Sequence, residues 1–114
     1  MLKCHCRDCQ RISGGPYTPV VYVPAHTFRV TRGTIRHFHT PSEVQGRHKR
    51  GFCVDCGSRL TGGEYEGSPG IGMTASSLDD PSWFKPTVDM WVSDAQPWDL
   101  MDPALPKIPK HPGM

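Results

Sequence analysis

Proline and glycine content is the strongest constraint on what this chain can fold into. Twelve prolines and twelve glycines in 114 residues leave little room for long helices. Between them lie short segments rich in β-branched and aromatic residues, a pattern that predicts an all-β sheet or sandwich. A short helical turn is expected at residues 6–13. The candidate strands are 18–23, 28–30, 34–38, 47–53, 59–61, 72–76 and 87–92.

The length of the chain indicates a single domain over residues 1–114. From about residue 96 onward, prolines recur so often that we predict an extended, irregular tail lying on the domain. We expect its last residues to be frayed. The sequence is also compatible with a homodimer.

The charge of the chain excludes some classes of partner. A net charge of +2 and a pI of about 8.3 are too mild to indicate nucleic-acid binding. The basic run Arg47-His48-Lys49-Arg50 is interpreted as a solvated strand end or loop. No stretch approaches the roughly 18 apolar residues of a membrane span, and the N-terminus lacks the apolar region of a signal peptide. A membrane is therefore not an expected partner.

The five cysteines fall into two groups with the spacing of metal ligands. The first group is Cys4-His5-Cys6-Arg7-Asp8-Cys9, and the second is the knuckle Cys53-Val54-Asp55-Cys56, which Gly57 follows. The odd number and the tight Cys-x-Cys argue against a disulfide framework and predict a reducing cytoplasm. Zinc, one or two ions per chain, is the predicted cofactor.

Spacing alone leaves two arrangements of these ligands open. A single four-cysteine site would combine Cys53 and Cys56 with two cysteines of the first group, and we favour it slightly because it lacks nothing. Alternatively, Cys4, Cys6 and Cys9 hold one zinc with an open fourth position, which is a catalytic geometry. The knuckle would then be half of a second site. His5 is expected to point away from the metal, as a hydrogen-bond donor behind the ligands or a proton carrier.

With these residues in place, the chain resembles the glutathione-dependent formaldehyde-activating enzyme family, which includes centromere protein V. The resemblance rests on two fairly specific motifs, the Cys-His-Cys-x-x-Cys at residues 4–9 and the knuckle preceded by Phe52. Single residues in matching order extend it over nearly the whole chain. These are Gly14, Phe28, Gly33, Leu60, Leu78, Asp79, Pro81, Pro86, Trp91, Val92, Pro97, Trp98, Leu105 and Pro106.

The resemblance implies a fold and a division of roles among the cysteines. The implied fold is a mainly β, β-tent fold, the scaffold of a Rab guanine-nucleotide-release factor. By the same resemblance, Cys4, Cys6 and Cys9 hold a catalytic-type zinc, and Cys53 and Cys56 hold half of a structural zinc. Family members carry a further N-terminal strand with another Cys-x-Cys, which is absent before Cys4 here. Either the start of the chain is truncated or mis-assigned, or the structural site is altered, with its metal shared or missing.

Two functions compete at this stage. The first is a zinc-dependent carbon–sulfur lyase acting on the adduct of an aldehyde with a small thiol such as glutathione. Arg7, Arg11 or Lys3 could pair with carboxylates of that thiol. The alternative is a non-catalytic zinc module that binds a protein partner. An enzyme requires a concave site at the open zinc position, so the presence of a cavity discriminates between them.

Overall fold

The computed structural model describes residues 1–42 and 46–111 of the chain. One α-helix, α1, spans Arg7–Ser13. Eight strands follow the order of the chain. They are β1 (Leu2–Cys4), β2 (Thr18–Pro24), β3 (Ile35–Ser42), β4 (Gly46–Cys53), β5 (Arg59–Glu64), β6 (Gly70–Thr74), β7 (Asp89–Met90) and β8 (Lys107–Ile108). None of the described helices is long and apolar enough to cross a membrane.

The strands form one mixed sheet in the order β3-β4-β5-β6-β2-β1-β7-β8. Strands β2 to β6 pair only antiparallel, as does β1 with β2, whereas β7 is parallel to both β1 and β8. This order places the N-terminal strand inside the sheet, between β2 and β7. The prediction of a mainly β chain is therefore confirmed.

The short helix sits at a place that the local sequence defines. Cys6 caps its N-terminus, with Sγ accepting a hydrogen bond from the Cys9 N–H at 3.4 Å. The helix ends at Gly14, which adopts the left-handed conformation with φ 70°. The Gly14 N–H donates a hydrogen bond to the Gln10 carbonyl. The helix thus starts on one cysteine of the first group and carries another, which fixes the two relative to each other.

Three sequence predictions of regular structure need correction. Residues 28–30 form no strand, because a β-rich segment still requires a pairing partner and this one has none in the described structure. The strand expected at 87–92 is reduced to Asp89–Met90, because Trp91 adopts the left-handed conformation, φ 59°. The tail expected to be irregular contains β8. Residues 112–114, expected to be frayed, lie outside the described residues.

The tail joins the sheet through groups that proline leaves available. Proline lacks an N–H but keeps its carbonyl. The Pro106 carbonyl accepts from the Asp89 N–H at 3.0 Å, and the Pro109 carbonyl accepts from the Ser93 N–H at 3.0 Å. The two residues between these prolines retain their own N–H groups and can therefore pair as a strand.

The interior is unusually polar. In the described part of the chain, eight polar or charged side chains are buried but only four apolar ones. The apolar ones are Cys9, Val21, Ile71 and Ala75. Because buried polar groups stabilise a fold only when they are paired, the polar contacts of this interior matter as much as its apolar packing.

The densest of these contacts form a buried charge cluster, which consists of Lys3, His5, Asp89, Asp99 and Lys107. Both His5 and Asp89 have no exposed surface. The His5 ring contacts Asp89 through Nε2 at 2.9 Å and Asp99 through Nδ1 at 2.6 Å. Lys107 donates to Asp89 at 2.8 Å, and Lys3 lies 3.4 Å from it. The cluster links β1, β7, β8 and the tail.

This cluster predicts a large effect of one isosteric substitution. Asp89→Asn removes the only charge that two lysines and His5 share, and breaking a buried pair costs on the order of 3–5 kcal/mol of unfolding free energy. Urea unfolding followed by circular dichroism measures the loss. Asp79→Asn, at an exposed position, is the matched control and should cost less than about 0.5 kcal/mol. Similar losses in the two variants would contradict the structural role of the cluster.

Candidate active site

Cys4, Cys6 and Cys9 converge on one point. Their sulfur atoms all lie within 4.8 Å of one another, and they are the one group of three or more His, Cys, Asp or Glu side chains in the described residues that could hold a metal ion. Cys4 comes from the end of β1, Cys6 from the cap of α1, and Cys9 from its first turn. The three ligands are therefore placed by one strand and one helix turn.

Hydrogen bonds hold the backbone around these sulfurs. The buried Thr18 hydroxyl donates to the Cys9 carbonyl at 3.0 Å. The Gln10 amide donates to the His5 carbonyl at 2.7 Å and to the Asp94 carbonyl at 2.9 Å. His5 itself turns away from the sulfurs and into the charge cluster, in the direction expected from the sequence. Each ring nitrogen of His5 thus has a carboxylate partner.

The three thiols differ in how readily they lose a proton. Hydrogen bonds donated to Cys6 and Cys9, with burial, raise the pKa of Cys4 well above its usual value. A hydrogen bond from Cys4 lowers the pKa of Cys6, but donation to Cys9 and burial outweigh it and raise that pKa to about 11. The two donated hydrogen bonds lower the pKa of Cys9 well below its usual value, and the positive charge of Arg50 acts in the same direction. One thiolate is thus already favoured before any metal binds.

The cysteine group lies in the wall of a large cavity. The cavity has a volume of about 740 Å³ and is lined by all three cysteines. Aromatic side chains line other parts of it, and Arg50 and Arg59 bring two guanidinium groups to it. The aromatic residues are Tyr22, Tyr65 and Trp91. Trp91 is the one non-glycine residue with positive φ in the described ranges, and such strained residues are frequent at functional sites.

The knuckle cysteines lie elsewhere. Cys56 is exposed, Cys53 lines a different cavity of about 270 Å³, and neither joins the group of three within the described residues. Gly57 follows with φ 76°, which supports the tight turn expected after the second ligand. The single four-cysteine site that spacing slightly favoured is therefore not what the described structure contains. The role of this pair in binding metal remains a prediction.

Sequence reasoning missed several residues of the site. The interpretation of Arg47–Arg50 as a solvated run is wrong for Arg50, which is 4% exposed and lies beside Cys9. Arg59 and Thr18 carried no motif at all. Strand alternation is the signal that could have found Arg50, because it precedes Phe52 by two residues and so faces the same side of the sheet.

The comparison with protein families agrees with this site. The model of the family described as glutathione-dependent formaldehyde-activating enzyme matches residues 1–94. The chain belongs to this family. The resemblance inferred from the two cysteine motifs is thereby confirmed. No curated protein matches the chain at a significant level.

The separation of the two cysteine groups predicts different metal contents for two variants. Cys9→Ser should abolish zinc binding at one equivalent, because it removes one of only three converging ligands. Cys56→Ser should retain that zinc, because Cys56 lies outside the group. Native mass spectrometry of protein produced in zinc-replete cells counts the metal. A protein that binds one zinc ion and loses it in both variants would instead favour a single shared site.

Proposed function

We propose that this protein is a zinc-dependent enzyme of the carbon–sulfur lyase type, acting on the adduct of an aldehyde with a small, glutathione-like thiol. The observation that carries the proposal is the convergence of three thiols in the wall of a 740 Å³ cavity. Membership of a family described as glutathione-dependent and formaldehyde-activating supports the choice of thiol and aldehyde.

The donor set fits zinc. Three sulfur atoms within 4.8 Å of one another can share one ion and leave a fourth position of its tetrahedron for another ligand. Sulfur ligands select soft or borderline ions, and zinc is the common one of these that has no redox chemistry. When bound, zinc would lower the pKa of an incoming thiol and stabilise it as a thiolate. Cys4, Cys6 and Cys9 are the proposed ligands.

The residues of the chain have three tasks in such a reaction. Thr18 and Gln10 hold the backbone of the ligand-bearing segment, and the charge cluster behind His5 anchors it. The aromatic side chains at the cavity wall can exclude water from a bound adduct. In the synthetic direction a thiol sulfur bonds to the aldehyde carbon, and the carbonyl oxygen takes up the proton that the thiol loses. In the lyase direction the same carbon–sulfur bond breaks and the proton returns to sulfur.

The knuckle has a separate proposed role. We propose that Cys53 and Cys56 are two ligands of a structural zinc, as the family resemblance implies. The Sγ atom of the exposed Cys56 lies 3.1 Å from the Ser58 hydroxyl oxygen. Hydrogen bonding with Ser58 lowers the pKa of the Cys56 thiol, which favours the thiolate that a metal requires.

The remaining family-level features belong to the same proposal. They are the β-tent architecture, the single domain over residues 1–114 and a cytoplasmic location. A non-catalytic module for a protein partner is less well supported, because an enzyme of this kind requires a cavity at the cysteine group and a docking module does not.

A cobalt-substituted protein tests the proposed function. Cobalt bound by Cys4, Cys6 and Cys9 gives a visible spectrum that reports its coordination. Glutathione should change this spectrum in a saturable way, because a thiolate is the ligand that a sulfur-rich site prefers at its fourth position. Glutathione whose sulfur is methylated is the matched control and should leave the metal bands unchanged.

A spectrum that stays constant over a millimolar range of glutathione and of several other small thiols would rule out the lyase proposal. The Cys6→Ser variant adds an independent check. This variant should lose most of the spectral response to thiol, whereas its melting temperature should fall only slightly. The reason is that Cys6 lies at the cap of the short helix rather than inside the sheet.

A further inference from the structure

Two arginines from neighbouring strands face the same cavity as the cysteine group. Arg59 is paired with Phe52 across the β4–β5 ladder, and Arg50 lies two residues before Phe52 on the same strand. Side chains two apart on a strand share a face, and so do paired residues across a ladder. Arg50 and Arg59 therefore point to one side of the sheet, and both line the cavity.

The ladder between these strands is irregular at this place. Its register shifts between Lys49 and Gly51 and again between Gly51 and Phe52. Gly63 on β5 has φ 77°, a conformation that favours glycine. Such bulges re-aim side chains and are frequent next to active sites. Arg50 lies within the first shift, and Arg59 is the β5 residue that pairs at the end of the second.

Arg50 is held rigidly although it is charged. It is 4% exposed, and its Nε donates to the Thr40 hydroxyl at 2.7 Å. Its Nη2 lies 3.8 Å from a carboxylate oxygen of Asp8, which is a loose ion pair. Asp8 neutralises Arg50 only partly, so positive charge remains at the cavity wall.

Arg59 has an unused donor. Its Nε donates to the Thr61 carbonyl at 2.5 Å. Its Nη1 is buried, yet no acceptor lies within hydrogen-bonding distance of it among residues 1–42 and 46–111. A buried donor without a partner costs free energy, which a ligand oxygen would recover. Gly62 makes the position possible, because a Cβ there would overlap the Arg59 guanidinium.

The electrostatics of the pair also favour an anion. Burial, followed by the charge of Arg50, lowers the pKa of Arg59 to about 10. Two guanidinium groups that raise each other's energy in this way are both stabilised by one negative ligand. The other arginines at the cavity are less available, since Arg7 donates to Gln10 and Arg11 is exposed beside Asp8.

We propose that Arg50 and Arg59 form a carboxylate-binding subsite, so that the thiol taken by the cysteine group is one that carries a carboxylate. This inference rests on the proposed function and adds to it the residues that select the substrate. A carboxylate offers two oxygens to a pair of guanidinium groups, a geometry that a neutral thiol lacks. The residues expected from the sequence to do this, Arg7, Arg11 and Lys3, are not required.

The test compares two ligands with the same thiol. Glutathione and its diamide, in which both carboxylates are replaced, are titrated into the cobalt-substituted protein. Charge-assisted hydrogen bonds make about a tenfold or larger difference in affinity, so glutathione should bind at least about tenfold more tightly. In Arg59→Gln this ratio should fall towards one, mainly through weaker binding of glutathione.

Further variants separate charge from position. Gly62→Ala keeps the charge but displaces the guanidinium, and it should also reduce the ratio. Asp8→Asn frees Arg50 from its ion pair and should increase the ratio. Arg36→Gln, at an exposed position on β3, is the matched control and should leave it unchanged. Because a poorly folded variant loses affinity for both ligands, the ratio is insensitive to partial unfolding.

The two proposals fail in different ways. If thiols alter the cobalt spectrum but the ratio is the same in Arg59→Gln as in the unsubstituted protein, the carboxylate subsite is wrong and the lyase proposal stands. If no thiol alters the spectrum, S-methylglutathione still tests the subsite on zinc-loaded protein. It should shift the NMR resonances of Arg50 and Arg59 Nε, and constant resonances at tens of millimolar ligand would overturn the subsite.

Discussion

The buried contact between His5 and its two carboxylate partners is the interaction on which the rest of the structure depends. His5 stands between two of the three converging cysteines, and Asp89 and Asp99 belong to the last third of the chain. One imidazole therefore ties the ligand-bearing segment to β7 and to the tail. A histidine at this position costs little in burial because both ring nitrogens are satisfied. These contacts add to the hydrogen bonds through which Thr18 and Gln10 hold the same segment.

The arginine pair in the cavity wall shows the same use of buried polarity for a different purpose. Arg50 and Arg59 are held by hydrogen bonds to Thr40 and Thr61, and neither is fully neutralised. The groups of the charge cluster around Asp89 are paired with one another, whereas Arg59 keeps a buried donor that has no partner among the described residues. Paired buried charges stabilise the fold, whereas a buried donor without a partner provides a place for a ligand oxygen. The charge of Arg50 also favours the thiolate form of Cys9, so the arginine pair and the cysteine group influence each other electrostatically.

Much of this could be predicted from the sequence, for identifiable reasons. Cysteine spacing is a local signal, so both cysteine groups could be predicted as metal ligands and a tight turn could be predicted at Gly57. Spacing alone slightly favoured a single four-cysteine site, and the grouping of Cys4, Cys6 and Cys9 was given by the family resemblance. Proline, glycine and strand alternation gave most of the strands correctly. Pairing is not local, and the failures occur there. Residues 28–30 have strand composition without a partner, and Lys107–Ile108 form a strand among prolines because Pro106 and Pro109 carbonyls accept from β7 and the turn after it. The burial of Arg50 likewise depends on which strand lies beside β4.

The polar interior means that a metal ion at the cysteine group would also contribute to the stability of the fold. With only four apolar side chains buried in the described structure, apolar burial contributes less stability than a domain of this length usually has. Cys4 lies on β1, whereas Cys6 and Cys9 belong to the cap and the first turn of α1. An ion bound by all three would cross-link the strand with the helix and add stability that the small apolar core does not supply. The same ion would hold the helix cap in place beside the cavity that Arg50 and Arg59 also line. Ion binding and local order would then both follow from the arrangement of residues 4–9.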